Sequence, residues 1–364
     1  MNYCDKISYS IFKAPYSNDF GVMVNNLLSQ IPEGTNVVRL VFFGSPKNNI
    51  DYVENRNHIV ESVSRKFGKN EPVVGLVAQP PLDCGLVIEV HSIELDTDDV
   101  LTYKEFENNR YVILENDSVR LLFAGAFQSD LNIDLYKQSK SVFMQIQGLL
   151  DMEKFSVNSI VRQWNYIERI TCYDGEDQHY QMFNNARSEF YSTVEWTDGY
   201  PAATGIGCDN GGILVDFDAV LFKTDTCFAT PIDNKLQVAA HEYSGKVLLE
   251  AGRSKTTPKF ERAKSMTFEQ RRIVYISGTA AIRGEESLFG VGIKRQLEIT
   301  LENIDQLIGN AKVYLYRVYL KNSDDFKIVK KYFDETYPNL QVSYLLTDVC
   351  RDELLIEIEG IAIE

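Results

Sequence analysis

The chain repeats itself, and this limits its possible folds more than any other feature. "VRLLFAGAF" (119–127) is similar to "RIVYISGTA" (272–280), with Gly125 falling on Gly278. The same offset lays "SIVRQWNYIE" (159–168) over "KVYLYRVYLK" (312–321), Tyr166 on Tyr319 and Ile167 on Leu320. Further on, "ILVDFDAVLF" (213–222) parallels "LLIEIEGIAI" (354–363) at a smaller offset, so one copy carries an insertion. Asp216 then matches Glu357, and Asp218 matches Glu359. Self-similarity of this kind means that one supersecondary unit has been used more than once.

The pattern within a copy predicts strand, helix, strand, helix, strand, strand. In the second copy the strands are expected at 272–278, 312–321, 340–347 and 353–362, and the helices at 292–308 and 323–336. Ile293, Leu297, Leu301, Ile304 and Ile308 give the first of these helices one apolar face. The first copy has a matching helical segment at 137–152. Helices gathered on one face of a sheet make an α+β architecture. The 364 residues suit two domains, expected at 1–223 and 224–364. Ahead of the first copy, 36–46, 72–81 and 86–95 are strand candidates and 50–67 is helical; this part extends the first domain or caps the assembly.

The last strand poses the chemical question. Side chains alternate along a strand, so Glu357 and Glu359 share a face, roughly 7 Å apart. A solvated acid on an edge strand is as good a reading of Glu357 as a functional one. If the pair is buried, like charge and desolvation both raise one of the two pKa values, which suits proton donation near neutral pH.

The net charge of −15 argues against nucleic-acid or anionic-membrane binding, and no apolar run is long enough to span a bilayer. A small anionic substrate needs a local arginine cluster within that negative field. The six cysteines and four histidines have no metal-ligand spacing, so no metal is expected. No secretory signal is visible at "MNYCDKISYS", and a cytoplasmic location with reduced thiols is the expectation.

"IEIEGIAI" after "YISGTAAI" and "ITLENI" resembles the YjgF/RidA-like (chorismate mutase-like) fold. A doubled chain that also carries "VRQWNYIERI", "FNNARSEFY", "PAATGIG", "PKFERAKSM" and "DVCRDELLIEIEG" in this order resembles the chorismatases, from about residue 36 to the end. The resemblance implies two tandem domains of that fold, each a mixed sheet with helices on one face. It implies cleavage of the enolpyruvyl ether of chorismate with release of pyruvate, without a cofactor, and Glu357 as the residue acting on substrate. Glu359 is then structural and Asp216 silent. Cys350, seven residues before Glu357, is otherwise a small buried hydrophobe; by resemblance it belongs with the branch that makes 3-hydroxybenzoate rather than a dihydrodiol.

Chorismate carries two carboxylates, which arginine holds bidentately. The candidates are Arg162, Arg187, Arg262 and Arg317, of which all but Arg317 lie in segments matching the family. Arg162 and Tyr166 share a strand face, and Arg187 and Tyr191 are one turn apart if their segment is helical. Gly205, Ile206 and Gly207 are expected to offer backbone N–H groups to a carboxylate, with Gly278 and Thr279 as weaker contacts. One rival is a RidA-type imine deaminase, disfavoured because Val342 stands where that branch has a carboxylate-gripping arginine. The other is a non-catalytic small-ligand-binding protein. Single-domain relatives form trimers with sites between subunits, so a monomer or a homotrimer is expected.

Overall fold

The computed structural model describes residues 2–244, 249–250, 253–254 and 256–364. The α+β class expected from the sequence is what the chain adopts. The expected elements of the last copy are present as strands β13 (Arg271–Ala280), β14 (Lys312–Leu320), β15 (Gln341–Leu346) and β16 (Ile356–Ile363), with helices α5 (Gly292–Ile308) and α6 (Phe326–Thr336). The buried face of α5 is the one read from its spacing, and the helix stops at Gly309, whose φ of 58° suits glycine. A hairpin of β11 (Cys227–Ile232) and β12 (Ala263–Phe268) completes a six-stranded sheet in the order β11-β12-β13-β16-β14-β15. β14 and β15 run parallel, and β16 lies antiparallel between β14 and β13. Every residue of β16 is buried because the strand is central and both of its faces are covered.

The earlier copy has the same plan. β5 (Val100–Phe106), β6 (Asn109–Glu115), β7 (Val119–Phe127), β8 (Ile160–Glu168), β9 (Ala202–Cys208) and β10 (Ile213–Phe222) form a sheet in the order β9-β8-β10-β7-β6-β5. Its helices are α3 (Leu135–Met152) and α4 (His179–Tyr191).

The residues before this copy neither extend its sheet nor cap it. β1 (Ile7–Ala14), β2 (Val37–Phe43), β3 (Val73–Val77) and β4 (Leu86–Ile93) make a separate sheet, β1-β4-β2-β3, with α1 (Phe20–Ser29) and α2 (Asn49–Phe67). β2 and β3 are parallel and β4 lies antiparallel between β2 and β1, as in the other two sheets. The repeat therefore occurs three times among the described residues, and the span 1–223 holds two of the units. The first unit lacks the leading hairpin, which is one reason its kinship is hard to see in sequence.

In each unit the helices cover one face of the sheet. Val24, Leu27, Ile59 and Val63 do so in the first unit, Val142, Ile146, Phe183 and Phe190 in the second, and Leu297, Leu301, Val329 and Phe333 in the third. The opposite faces meet one another. Val38 and Val73, Phe123 and Val161, and Tyr275 and Leu315 form one apolar cluster drawn from all three units. No helix of the described residues is long and apolar enough to cross a membrane.

Candidate active site

Register places one arginine at the same point of each unit, which shifts the sequence alignment of these strands: Trp164, opposite Asp216, and not Tyr166, matches Tyr319, opposite Glu357. Arg39 on β2 pairs with Val73 on one side and His91 on the other. Arg162 on β8 pairs with Ala202 and Asp218, and Arg317 on β14 pairs with Ser343 and Glu359. All three guanidinium groups lie over the ring of Trp164, at 4.9, 4.6 and 5.6 Å from its centroid. Each reaches an acid of the next unit. Arg39 lies 2.7 Å from Asp218 of the second unit. Arg162 donates to Glu359 of the third. Arg317 grips Glu89 of the first through Nε and Nη2, at 2.7 and 2.6 Å. The ion pairs thus run in a cycle around the axis where the sheets meet. In the first unit the acid at the matched position is replaced by His91, which bonds Glu89 at 2.6 Å.

Glu359 receives four donors. Arg317 Nη1 and the Tyr319 hydroxyl donate to Oε1 at 2.9 and 2.7 Å, and Arg162 and the Thr204 hydroxyl donate to Oε2. Two guanidinium groups and complete hydrogen bonding make it the charged member of the Glu357–Glu359 pair.

Glu357 points elsewhere. It lines a cavity of 270 Å³ in the seam between the second and third units. The second unit contributes Tyr180 and Asn184 from α4 and Ala203 and Gly205 from β9; the third contributes Arg262, Gly278, Cys350, Arg351 and Glu357. Glu357 is 5 % exposed, so the edge-strand reading fails. Burial, and then the Glu359 charge, push its carboxyl up to about 8, against the opposing pull of Arg262, Arg162 and Arg351. The acid is therefore protonated at neutral pH and faces a space large enough for a small molecule. Gly278 makes room for it, because a Cβ at that position would collide with Glu357 Oε1. Burial and the neighbouring Glu357 push the Cys350 thiol up to about 12, so Cys350 acts there as a neutral, shape-setting side chain.

Of the residues singled out in the sequence, the cavity wall includes Glu357, Cys350, Arg262, Gly205 and Gly278. The others lie outside it. Arg162 and Arg317 are consumed by the axial ion pairs. Tyr166 shares the strand face of Arg162, and its hydroxyl accepts from Arg317 at 2.7 Å. Arg187 is buried behind the wall and donates to the wall residue Asn184 at 2.6 Å. One turn along α4, Tyr191 donates to Gln163 at 2.8 Å. Thr279 bonds the Ser277 carbonyl.

The expected carboxylate nest at 205–207 is not formed, because these residues run as strand β9 rather than as a loop. Gly207 N–H is taken by the Asp348 carbonyl at 3.0 Å, and its own carbonyl accepts from Gln79. Ile206 is fully buried in the core. Gly205 instead admits an aromatic ring: a Cβ there would lie 3.0 Å from Tyr180 Cε2.

The sequence reading missed Tyr180, Asn184, Tyr243 and Arg351. Tyr180, Asn184 and Arg187 stand at i, i+4 and i+7, so extending the helical stripe backwards from Arg187 would have found the first two. Arg351 and Arg262 pack against one ring, with their Cζ atoms 5.2 and 5.5 Å from the Tyr243 centroid. Arg262 also donates to the Tyr243 hydroxyl at 2.5 Å. The cavity thus has a buried carboxylic acid at one point of its wall and two guanidinium groups bracing a tyrosine at another.

Residues 97–219 match the family model described as chorismatase FkbO/Hyg5-like, N-terminal. A 3-hydroxybenzoate synthase of Streptomyces hygroscopicus is 30% identical over 234 residues, covering 58% of this chain and 65% of that protein. A chorismatase of Streptomyces rapamycinicus is 28% identical over 223 residues, covering 56% and 64%. These matches span a little under two thirds of the relatives' own lengths. A chorismatase crystal structure superposes over 98% of both chains with a TM-score of 0.71 at 19% identity, so the fold is shared from end to end.

Proposed function

We propose that this chain, which resembles the chorismatases in sequence and shares their fold, cleaves the enolpyruvyl ether of chorismate and releases pyruvate. The observation that carries the reading is Glu357, a carboxylic acid kept neutral by burial at the wall of an arginine-bearing cavity. An enol ether resists hydrolysis until its terminal methylene is protonated. Glu357 donates that proton, the double-bond electrons form the new C–H bond, and the adjacent carbon becomes an oxocarbenium centre. Arg262 and Arg351 hold the two substrate carboxylates, and the buried wall limits access of water to the cation.

Two outcomes follow from the cation. Water adding to it yields pyruvate and a dihydrodiol. Alternatively, the neighbouring ring hydroxyl, losing its proton, displaces the enolpyruvyl oxygen at its ring carbon, which releases pyruvate and leaves an epoxide. The epoxide opens at the carbon that first bore the hydroxyl, its oxygen takes up a proton, and loss of the ring proton gives 3-hydroxybenzoate, with one of the released protons restoring Glu357. Cys350 fills the wall beside Glu357 with a neutral thiol, a small apolar group suited to keeping water from the reacting carbon. This favours the second outcome.

Imine deamination fits the cavity less well. Val342, the position where that branch carries its arginine, lies in the seam between the third and first units. By register the matched position on the second unit, which does face the Glu357 seam, is Pro201. Neither supplies a guanidinium group.

The test is incubation with chorismate, with pyruvate measured enzymatically and the ring product identified by chromatography. Pyruvate and 3-hydroxybenzoate in equal amounts are expected. Ammonia release from an imino acid with chorismate untouched would move the activity to deamination, and binding without turnover would leave a ligand-binding protein.

A further inference from the structure

The acid at 357 keeps its proton only if its neighbour does not take it. Glu357 and Glu359 lie two residues apart on one strand, and two buried carboxyl groups so close share a proton in preference to both ionising. Which of them carries it depends on the donors each receives. Three of the four donors to Glu359, from Arg162, Arg317 and Tyr319, belong to the axial core. The fourth is Thr204, which comes from β9 at the cavity seam.

The Thr204 hydroxyl is fully used. It donates to Glu359 Oε2 and accepts from Arg162 Nη2 at 2.8 Å and from Gly278 N–H at 3.1 Å. A hydroxyl has one donor and two acceptor positions, so this is its full complement. One atom of the second unit thereby ties down the charged acid of the third unit, the arginine that pairs with it, and the backbone of Gly278, whose missing side chain makes room for Glu357. The other two units have nothing comparable. Register matches Thr204 to Gly75 in the first unit and Leu345 in the third, and neither bears a hydroxyl. The hydroxyl is present only in the unit that faces the protonated glutamate.

We infer that Thr204 is a positioning residue for the proton donor: its hydroxyl, reaching across the seam, fixes Glu359 as the charged partner and leaves the transferable proton on Glu357. The catalytic part of this rests on the chorismate-cleaving reading; the location of the proton does not. Other groups also act on Glu357. Glu359 lies on its own strand, Cys350 and Arg351 on the preceding loop, Arg262 just before β12, Arg162 on β8 and Tyr180 on α4. A substitution at Thr204 removes none of these side chains.

The experiment compares Thr204→Val, which keeps the shape and removes the hydroxyl, with Thr204→Ser, which keeps the hydroxyl. Two readouts are used: the low-pH plateau of kcat/KM for pyruvate release, and the intensity of the carboxylic-acid infrared band of Glu357, identified by its loss in Glu357→Gln. A net hydrogen bond of about 1 kcal/mol corresponds to roughly a fivefold change in the share of the proton held by Glu359. With a donor to Glu359 lost, the proton spends more time there, so in Thr204→Val plateau and band intensity fall while Thr204→Ser matches the wild type. The alkaline limb stays in place or moves to higher pH, because the pair as a whole holds its shared proton no less tightly. A purely structural threonine would lower the melting temperature and leave the band intensity in place, which would overturn the inference. If the valine variant does not fold, Thr204→Ala against Thr204→Ser makes the same comparison. If the wild type leaves chorismate intact while the band intensity still falls in Thr204→Val, the substrate reading falls and the positioning role stands.

Discussion

The seam between the second and third units and the seam between the first and second use the same frame for different ends. In the former, Glu357 reaches a cavity; in the latter the matched acid, Asp216, is sealed in. Asp216 is 1 % exposed, and its Oδ1 accepts the Ala126 N–H at 2.7 Å. Ala126 reaches that geometry with a φ of 58°, a left-handed conformation uncommon for a residue with a side chain. The 420 Å³ cavity of this seam is lined by Arg56, Arg110, Ala126 and Gln128 but not by the acid. Burial raises the Asp216 pKa as it does that of Glu357. A raised pKa is therefore not what separates the acid that lines a cavity from the one that is sealed in. The difference is one methylene of reach and whether a backbone amide has already claimed the carboxyl.

Paired substitutions test that contrast most strongly. Glu357→Gln is expected to lower pyruvate release by about 10²–10⁴-fold, the usual worth of a positioned acid. Asp216→Asn, measured in the same assay, should stay within about twofold. Equal losses in the two variants would dissolve the distinction between the seams.

The two glycines come next. Gly278→Ala places a Cβ on Glu357 Oε1, and Gly125→Ala places one on Asp216 Oδ1. Both should cost roughly 1–3 kcal/mol in urea unfolding through overpacking. Only Gly278→Ala should also lower kcat, by about tenfold or more, because only there does the displaced carboxyl face a cavity.

The pH dependence of stability is a smaller effect with a definite sign. The Glu357 pKa is raised on folding from 4.5 to about 8, so its contribution is fully present below pH 4.5 and is lost as pH rises through about 8. The slope attributable to this group is at most about 1.4 kcal/mol per pH unit across that window. Glu357→Gln should remove it, as read from urea midpoints at several pH values. The same ionisation should depress kcat/KM above about pH 8. The smallest expected change is at Cys350, where Cys350→Ala should shift the product ratio severalfold toward the dihydrodiol while total pyruvate changes little. An unchanged ratio would remove the cysteine from the choice of product.

The sequence revealed the third unit well, and the reason is physical. Its strands alternate and its α5 stripe is regular, so local pattern and final structure agree. Glu357 stood out because an acid in an otherwise apolar strand breaks that pattern. The first unit was obscured by its missing hairpin and by His91 standing where the other units have an acid. Arg162 and Arg317 were read as substrate ligands because one strand face can look toward an axis or toward a cavity, and the partners that decide it, Glu359 and Glu89, are set by long-range packing. The glycines of "ATGIG" suggested a turn; only the approach of Tyr180 and of the Asp348 carbonyl explains Gly205 and Gly207 within a strand.

Fusing three like units into one polypeptide has a consequence for how such a protein changes. In a ring of identical subunits every substitution is copied to each interface at once, so an improvement at one carries its damage to the others. Here a codon change at 204, 278 or 350 alters a single junction, and the remaining two are free to serve purely as scaffold. In such a chain the junction that carries Glu357 and its cavity can be altered alone.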